Sequence, residues 1–249
     1  MSFQAASLEC DGLLFAYSRK SRPAVSLVNS ISFPQGRTAL LGPNGAGKST
    51  LLSIIAGGLT PQRGVVRAGG VVMHRQTQIS QVAWLPQAPT VDRSLTSREY
   101  CAYQAWLKGT PSGSALEAAD KALALVGLSE QSRALTHRLS VGTRARLCLA
   151  GTLATGAKYL LLDEPMAALD PAQRRNFLKL IRDLAEERAI IVSTHDVLDL
   201  DQGFDHVVVL RGGRCVFGGS VESFLAGSEH AQRISATEAY VRLLAEDDA

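Results

Sequence analysis

The sequence predicts an α/β fold: a mostly parallel sheet with an N-terminal antiparallel β part and an inserted α-helical subdomain. Three observations predict it. A glycine-rich loop, Gly42 to Gly47, lies between a strand-like and a helix-like segment. Tyr159–Leu162 is an uninterrupted apolar run, as expected for a parallel strand covered on both faces. Between these two landmarks, residues 89–138 change from strand-like to helical patterning, and strands return afterwards.

Taken in order, 8–16, 28–33 and 38–41 read as strands separated by turn-rich residues. Residues 48–56 read as a helix ended by Gly57-Gly58. Residues 65–67 and 71–73 flank Gly69-Gly70 as a hairpin, and 82–85 is a strand stopped by Pro86. Thr96 and Glu99 have capping-box spacing and open a helix to Leu107. Residues 109–113 read as a loop, and 115–126 as a helix closed by Gly127. Residues 141–153 read as a helix, which extends the inserted part to about 89–155 of a single domain, 1–249. Asp170 followed by Pro171 is an N-cap with proline at the first helical position, so 172–187 is a helix. Residues 189–192, 207–210 and 214–217 complete the sheet, the last two joined at Gly212-Gly213. A helical tail covers 220–249 and ends on Glu246-Asp247-Asp248.

Composition narrows the function. The 249 residues are 46% hydrophobic, enough for a sizeable core, and the net charge is only +3 without a basic run. That balance favours an ordinary solvated surface over nucleic-acid binding. Cys10, Cys101, Cys148 and Cys215 are far apart and form no CxxC pair, so neither zinc nor a redox pair is suggested. They fit a reducing compartment, with Cys101 and Cys148 as small core residues. No apolar run approaches the roughly 18–20 residues that span a bilayer, and the N-terminus does not resemble a signal peptide.

The strongest chemical signal is Gly42-Pro-Asn-Gly-Ala-Gly-Lys-Ser-Thr50, a complete phosphate-binding P-loop pattern between a strand and a helix. Glycines let backbone amides approach phosphate closely, and the helix start adds positive potential. Asn44, Gly45, Gly47, Lys48, Ser49 and Thr50 are the candidate nucleotide contacts. Lys48 is placed to reach the β- and γ-phosphates, and the Ser49 hydroxyl to ligate Mg²⁺. The second signal is Asp163-Glu164 at the end of the apolar strand, where ligands bind in parallel sheets. Asp163 suits Mg²⁺, and Glu164 suits orienting and deprotonating water. Alone, the pair could equally be two solvated acids. Behind a P-loop the catalytic reading dominates.

The segments between and after these signals resemble the ATP-binding subunits of ABC transporters. Leu139-Ser-Val-Gly-Thr143 is similar to that family's signature loop, typically LSGGQ. Gln87 in Trp84-Leu-Pro-Gln87 resembles its Q-loop glutamine, and His195 in Ser193-Thr-His-Asp196 its switch histidine. Ala168-Leu-Asp170 resembles its D-loop, and Tyr17 precedes the P-loop at the spacing of the adenine-stacking aromatic. Together these cover about residues 8 to 220 in the family's order. His74, His137, His206 and His230 lack such context and read as structural; Trp84 and Trp106 read as core or interface residues.

The resemblance implies a P-loop NTPase core that binds ATP with Mg²⁺. Glu164, His195 and Gln87 would be catalytic, and Ser49, Gln87 and Asp163 would hold the metal. Ser140 and Gly142 would contact the γ-phosphate bound by a second subunit. The chain would then act as a dimer with itself or a similar subunit, peripheral to the cytoplasmic face of the cell membrane through an integral permease partner. Leu85-Pro-Gln87 and the short insertion ending at 106–109 resemble exporter subunits. Val141 in place of glycine and Thr143 in place of glutamine depart from the signature pattern and imply altered closure or turnover. Rival readings are a soluble ATPase of the same type, uncoupled from transport, and an ATP-binding switch with weak hydrolysis.

Overall fold

The computed structural model describes residues 7–18, 20–167, 169–226 and 234–246. Two sheets pack across one of two hydrophobic cores. In the first, β1 (Leu8–Phe15) pairs antiparallel with β2 (Val25–Ser26) and β3 (Ile31–Phe33). The chain then enters the second sheet through β4 (Gly36–Leu41), passes the glycine-rich loop and forms α1 (Lys48–Ile55). The hairpin β5 (Arg63–Ala68) and β6 (Val71–Val72) returns to the first sheet beside β1. Next come α2 (Arg75–Gln81) and β7 (Val82–Leu85).

Three helices follow: α3 (Ser97–Leu107), α4 (Ser112–Leu125) and α5 (Val141–Ala154), which pack against one another. The capping box of α3 is formed by Thr96 and Glu99 as the spacing predicts. The sheet resumes with β8 (Tyr159–Asp163), α6 (Pro171–Leu184) and β9 (Ala189–Thr194). Asp170 caps α6 and forms a capping box with Gln173. After a 3-10 turn at Val197–Asp199 come α7 (Leu200–Gly203), β10 (His206–Arg211), β11 (Arg214–Ser220), α8 (Val221–Leu225) and α9 (Ala236–Glu246).

The second sheet has the order β11-β10-β4-β9-β8-β7, parallel throughout except for the β10–β11 hairpin. Its strands bury both faces. Leu160, Leu162, Ile190, Val192, Val207 and Val209 face the core shared with the helices of the insertion and α6. Leu161, Ile191, Val208 and Leu210 face α1 and the N-terminal sheet. This two-sided burial explains why the strands read as continuous apolar runs.

Several sequence expectations need correction. Residues 28–33 are not one strand: Val28 is exposed, and pairing to β1 is divided between β2 and β3. The short helix α2 is absent from the sequence reading, because its polar sequence lacks an apolar face and it is held instead by Gln78 Nε2 donating to Ile54 O at 3.2 Å. The loop expected at 109–113 ends early, since α4 starts at Ser112. The helix expected to reach residue 187 stops at Leu184. The tail is helical as expected, with α8 and α9 among the described residues, but it starts after β11, which itself runs to Ser220. Trp106 is exposed and stacks on Tyr103, so of the two expectations for it, core and interface, the structure removes only the first. Trp84 is partly buried against the core around α1. The predictions made for His230, for Ala168 and for Asp247-Asp248 lie outside the described residues. Cys101 and Cys148 are buried as expected.

Arg37 and Asp205 fasten the start of β4 to the start of β10. Arg37 donates through Nη2 to Asp205 Oδ1 at 2.6 Å and through Nε to Oδ2 at 3.0 Å. Partial burial pushes the Asp205 carboxyl up, but the Arg37 side chain and amide outweigh it and hold it below the ordinary range. A carboxylate with a lowered folded pKa stabilises above its unfolded value and stops doing so as pH falls through the folded one. Asp205→Asn is therefore expected to lower the melting temperature at neutral pH. The gap to wild type should close as pH drops below about 4, the ordinary Asp value. Parallel thermal melts from pH 7 to pH 3 check this, and a gap as wide at pH 3 as at pH 7 contradicts it.

Candidate functional site

Parallel pairing places the carboxyl ends of β4, β8 and β9 side by side, so the loops after Leu41, Asp163 and Thr194 emerge at one edge. The loop after β4 is the glycine-rich one. Gly42 and Gly47 adopt φ of 153° and 101°. A Cβ on Gly42 would lie 2.3 Å from the Leu210 carbonyl oxygen, and one on Gly47 would lie 2.3 Å from that of Ala24. Only glycine permits this seat. Gly47 also caps α1 without a side-chain bond, so the first amides of the helix keep their capacity to bind an anion.

This loop floors a cleft of about 500 Å³ lined by Tyr17, Ala24, residues 44–50, Gln87 and Glu164. Lys48 is largely buried. Its Nζ donates to Gly42 O at 2.7 Å and Pro43 O at 3.3 Å, and lies 3.6 Å from Glu164 Oε1. The Tyr17 ring is 68% exposed and packs edge-on against Phe15, while its hydroxyl hydrogen-bonds Thr50 Oγ1 at 3.0 Å. That leaves an aromatic face open beside the loop.

The carboxylates are held from β9. Asp163 and Ser193 are register partners across β8 and β9. The Ser193 hydroxyl donates to Asp163 Oδ1 at 2.5 Å and accepts from the Glu164 amide at 2.8 Å. Glu164 is the one non-glycine residue with positive φ, 50°, among the described residues. This left-handed turn directs its side chain back across the cleft mouth. Glu164 Oε2 then lies 3.0 Å from His195 Nδ1 while Oε1 faces Lys48. The cleft therefore joins an amide-lined anion cradle, a lysine, and a carboxylate–imidazole pair. Such a set can hold a polyphosphate and direct a water at its terminal group.

Among the described residues, no group of three or more His, Cys, Asp or Glu side chains converges to hold a metal alone. Ser49 and Gln87 line the cleft and offer hard oxygen donors, while Asp163 is buried, 2% exposed, and is not among the lining residues. That donor set suits Mg²⁺, which is bound through one or two carboxylates and completed by phosphate and water.

The family model described as ABC transporter matches residues 28–167. The chain belongs to this family. An uncharacterised ABC transporter ATP-binding protein of Bacillus subtilis, YxlF, is 35% identical over 74% of this chain and 61% of that protein. The thiamine import ATP-binding protein ThiQ of Chelativorans is 32% identical over 90% of this chain and 91% of that one. The solved structure of cbiO1 from Clostridium perfringens, described as part of an ABC transporter complex, superposes with a TM-score of 0.77 at 27% identity. It covers 88% of this chain and 90% of that one. The match spans about half to three-fifths of the first curated relatives.

Not every predicted residue meets in the cleft. Ser140 and Gly142 are not among its lining residues. Ser140 caps α5, its hydroxyl accepting from the Thr143 amide at 3.2 Å and sharing a hydrogen bond with Thr143 Oγ1 at 2.8 Å. Val141 is 73% exposed beside it. Thr143, where this family typically has glutamine, thus spends its hydroxyl on the cap. Ser193 and Ala24 were missed by sequence reasoning. Ser193 carried a weak signal, its position two residues before His195; Ala24 carried none.

Ser193→Ala removes the donor to a buried carboxylate and the acceptor for the Glu164 amide together. It is expected to cost about 1–3 kcal/mol, the range for an unsatisfied buried polar group. Chemical denaturation reads this loss. A Ser193→Ala protein as stable as wild type would remove the bridge from the account.

Proposed function

We propose that this ABC-family chain binds ATP with Mg²⁺ and hydrolyses it as the energising subunit of a membrane transporter. The observation that carries the reading is Glu164, fixed between Lys48 and His195 at the mouth of the amide cradle. In this reading Tyr17 stacks on the adenine, and the amides of 44–50 with Lys48 hold the phosphates. Mg²⁺, held by Ser49, Asp163 and Gln87, neutralises phosphate charge when bound. Glu164 orients a water in line with the γ-phosphate and accepts its proton. His195 fixes the Glu164 carboxylate and stabilises charge on the transferred group.

The cradle leaves one side of the γ-phosphate uncovered, and Ser140 and Gly142 point to how it closes. A second copy, or a similar subunit, brings its own α5 start against the nucleotide, so that two sites form by two-fold symmetry. ATP then favours the closed pair and hydrolysis releases it. An integral permease completes the machine and holds this chain at the cytoplasmic membrane face. Among the described residues no helix is long and apolar enough to cross a membrane. The exporter reading keeps the short helical insertion as its support. Relatives named for cobalamin and thiamine import lie in the same range of similarity, so direction is assigned to the permease.

Glu164→Gln is expected to keep ATP binding while lowering turnover by at least about a hundredfold, since it removes the proton acceptor. With ATP and Mg²⁺ it should accumulate as a species of twice the mass in sedimentation. Lys48→Ala should lose ATP affinity instead. Unchanged turnover in Glu164→Gln would end the catalytic assignment, and a monomer at saturating ATP would end the two-copy site.

A further inference from the structure

We propose that Arg174 is a positioning residue for the Glu164–His195 pair, linking the first turns of α6 to the backbone that carries the histidine. This rests on the hydrolytic reading above. Arg174 stands four residues after Asp170, the cap of α6, and its amide donates to the Asp170 carbonyl at 2.8 Å. Its Nη1 donates to Asp196 Oδ2 at 2.7 Å and lies 3.7 Å from Asp199 Oδ1. Asp196 directly follows His195, and Asp199 ends the 3-10 turn that leads away from it. One guanidinium therefore grips both ends of the segment leaving the histidine.

That segment has little freedom of its own. The Asp196 amide donates to Thr194 Oγ1 at 3.0 Å, and Asp196 Oδ1 accepts from the Leu198 amide at 3.0 Å. Val197 and Leu200 are buried in the same core as Ala236 and Ala239 of α9, which packs on the turn. Asp196 therefore cannot turn without opening the 3-10 turn. A movement of α6 transmitted by Arg174 shifts the His195 backbone instead.

The arrangement is costly in isolation. Arg174 Nε and Asp199 Oδ2 are buried without a hydrogen-bond partner, and the Asp199 side chain is 6% exposed. Burial pushes the Asp199 carboxyl up, against the pull of Arg174. Burial also opposes the Asp196 charge, but Arg174 and the Leu198 amide hold that carboxyl below the ordinary range. A cation near a helix start opposes the helix dipole as well. Simple helix stability would place a neutral residue at 174. What the arginine provides is a fixed distance between α6 and His195. Because the Glu164–His195 contact is a 3.0 Å hydrogen bond, a shift of about half an ångström there already weakens it.

The test is steady-state ATP hydrolysis and equilibrium ATP binding by Arg174→Ala and Arg174→Lys, alone and in a His195→Ala background. Arg174→Ala is expected to lower kcat on the order of tenfold to a hundredfold, the cost of a misplaced catalytic group. ATP affinity should stay within about twofold, because uniform binding is untouched. Arg174→Lys, which keeps the charge and folds more safely, should fall between. In the His195→Ala background Arg174→Ala should cost nothing further, since the residue acts through the histidine. An equal fractional loss in both backgrounds overturns the proposal, and so does a lowered melting temperature with unchanged kcat. If the wild type hydrolyses no ATP, the hydrolytic reading fails, and ring nitrogen NMR decides the linkage separately. Arg174→Lys must then shift the His195 ring resonance, identified by its loss in His195→Ala; an unmoved resonance overturns the linkage.

Discussion

The Ser193 hydroxyl, shared between the Asp163 carboxylate and the Glu164 amide, is the contact on which the geometry of the site depends. It exists because β8 and β9 pair in parallel with Asp163 opposite Ser193. A one-residue slip of β8 against β9 would put Asp163 and Ser193 on opposite faces of the sheet. The register is fixed by two faces of buried aliphatic side chains, so core packing sets the position of the chemistry. The bond also anchors the amide at which the chain turns left-handed, and that turn aims Glu164 between Lys48 and His195. Strain at Glu164 is thereby opposed by neighbours on three elements: the start of α1, β9 and the segment after it.

The residues that bring chemistry were legible where local pattern dictates them. The glycines of the P-loop announce a backbone that a Cβ would block, and the structure supplies the obstacles, the carbonyls of Ala24 and Leu210. The Thr96–Glu99 and Asp170–Pro171 helix starts were readable because a capping side chain bonds amides only two or three residues away. The parallel sheet was readable from strands apolar at every position. What was illegible depends on contacts distant in sequence. Ser193 meets Asp163 across 30 residues and Arg174 meets Asp196 across 22, and neither pairing has a periodicity. Arg174 did leave a faint trace, a cation where the helix dipole disfavours one. The polar helix α2 was missed for the opposite reason, having no apolar stripe to betray it.

The two departures in the signature segment acquire a physical meaning from the cap of α5. Ser140 accepts from the Thr143 amide, as an N-cap serine does, and Thr143 adds a second hydroxyl within hydrogen-bond reach of the first. A glutamine in its place would sit at the capping-box position and reach back to the Ser140 backbone amide, without a hydroxyl to engage the Ser140 side chain. The threonine keeps the Ser140 hydroxyl engaged locally, so an incoming phosphate must compete with a neighbour already in place. Val141 adds an exposed branched side chain at the same helix start. Both substitutions act on closure of the proposed two-copy site and leave the Lys48–Glu164–His195 cluster untouched.

In the proposed two-copy reading, that separation gives each chain two half-sites. The cleft around Lys48 and the start of α5 lie on different elements of one molecule, and Ser140 does not line the cleft. Yet Gly142 lies beside Gln173, where an added Cβ would sit 3.6 Å from the side-chain amide oxygen, and Gln173 closes the capping box with Asp170. The starts of α5 and α6 thus touch, and the next residue of α6, Arg174, reaches the segment after His195. A nucleotide gripped by Ser140 of one subunit would press on the α5 start, and through Gln173 and Arg174 on that same subunit's own histidine. If the proposed two-copy site forms, this packing would give a short mechanical route from ATP capture at one seam to hydrolysis at the other.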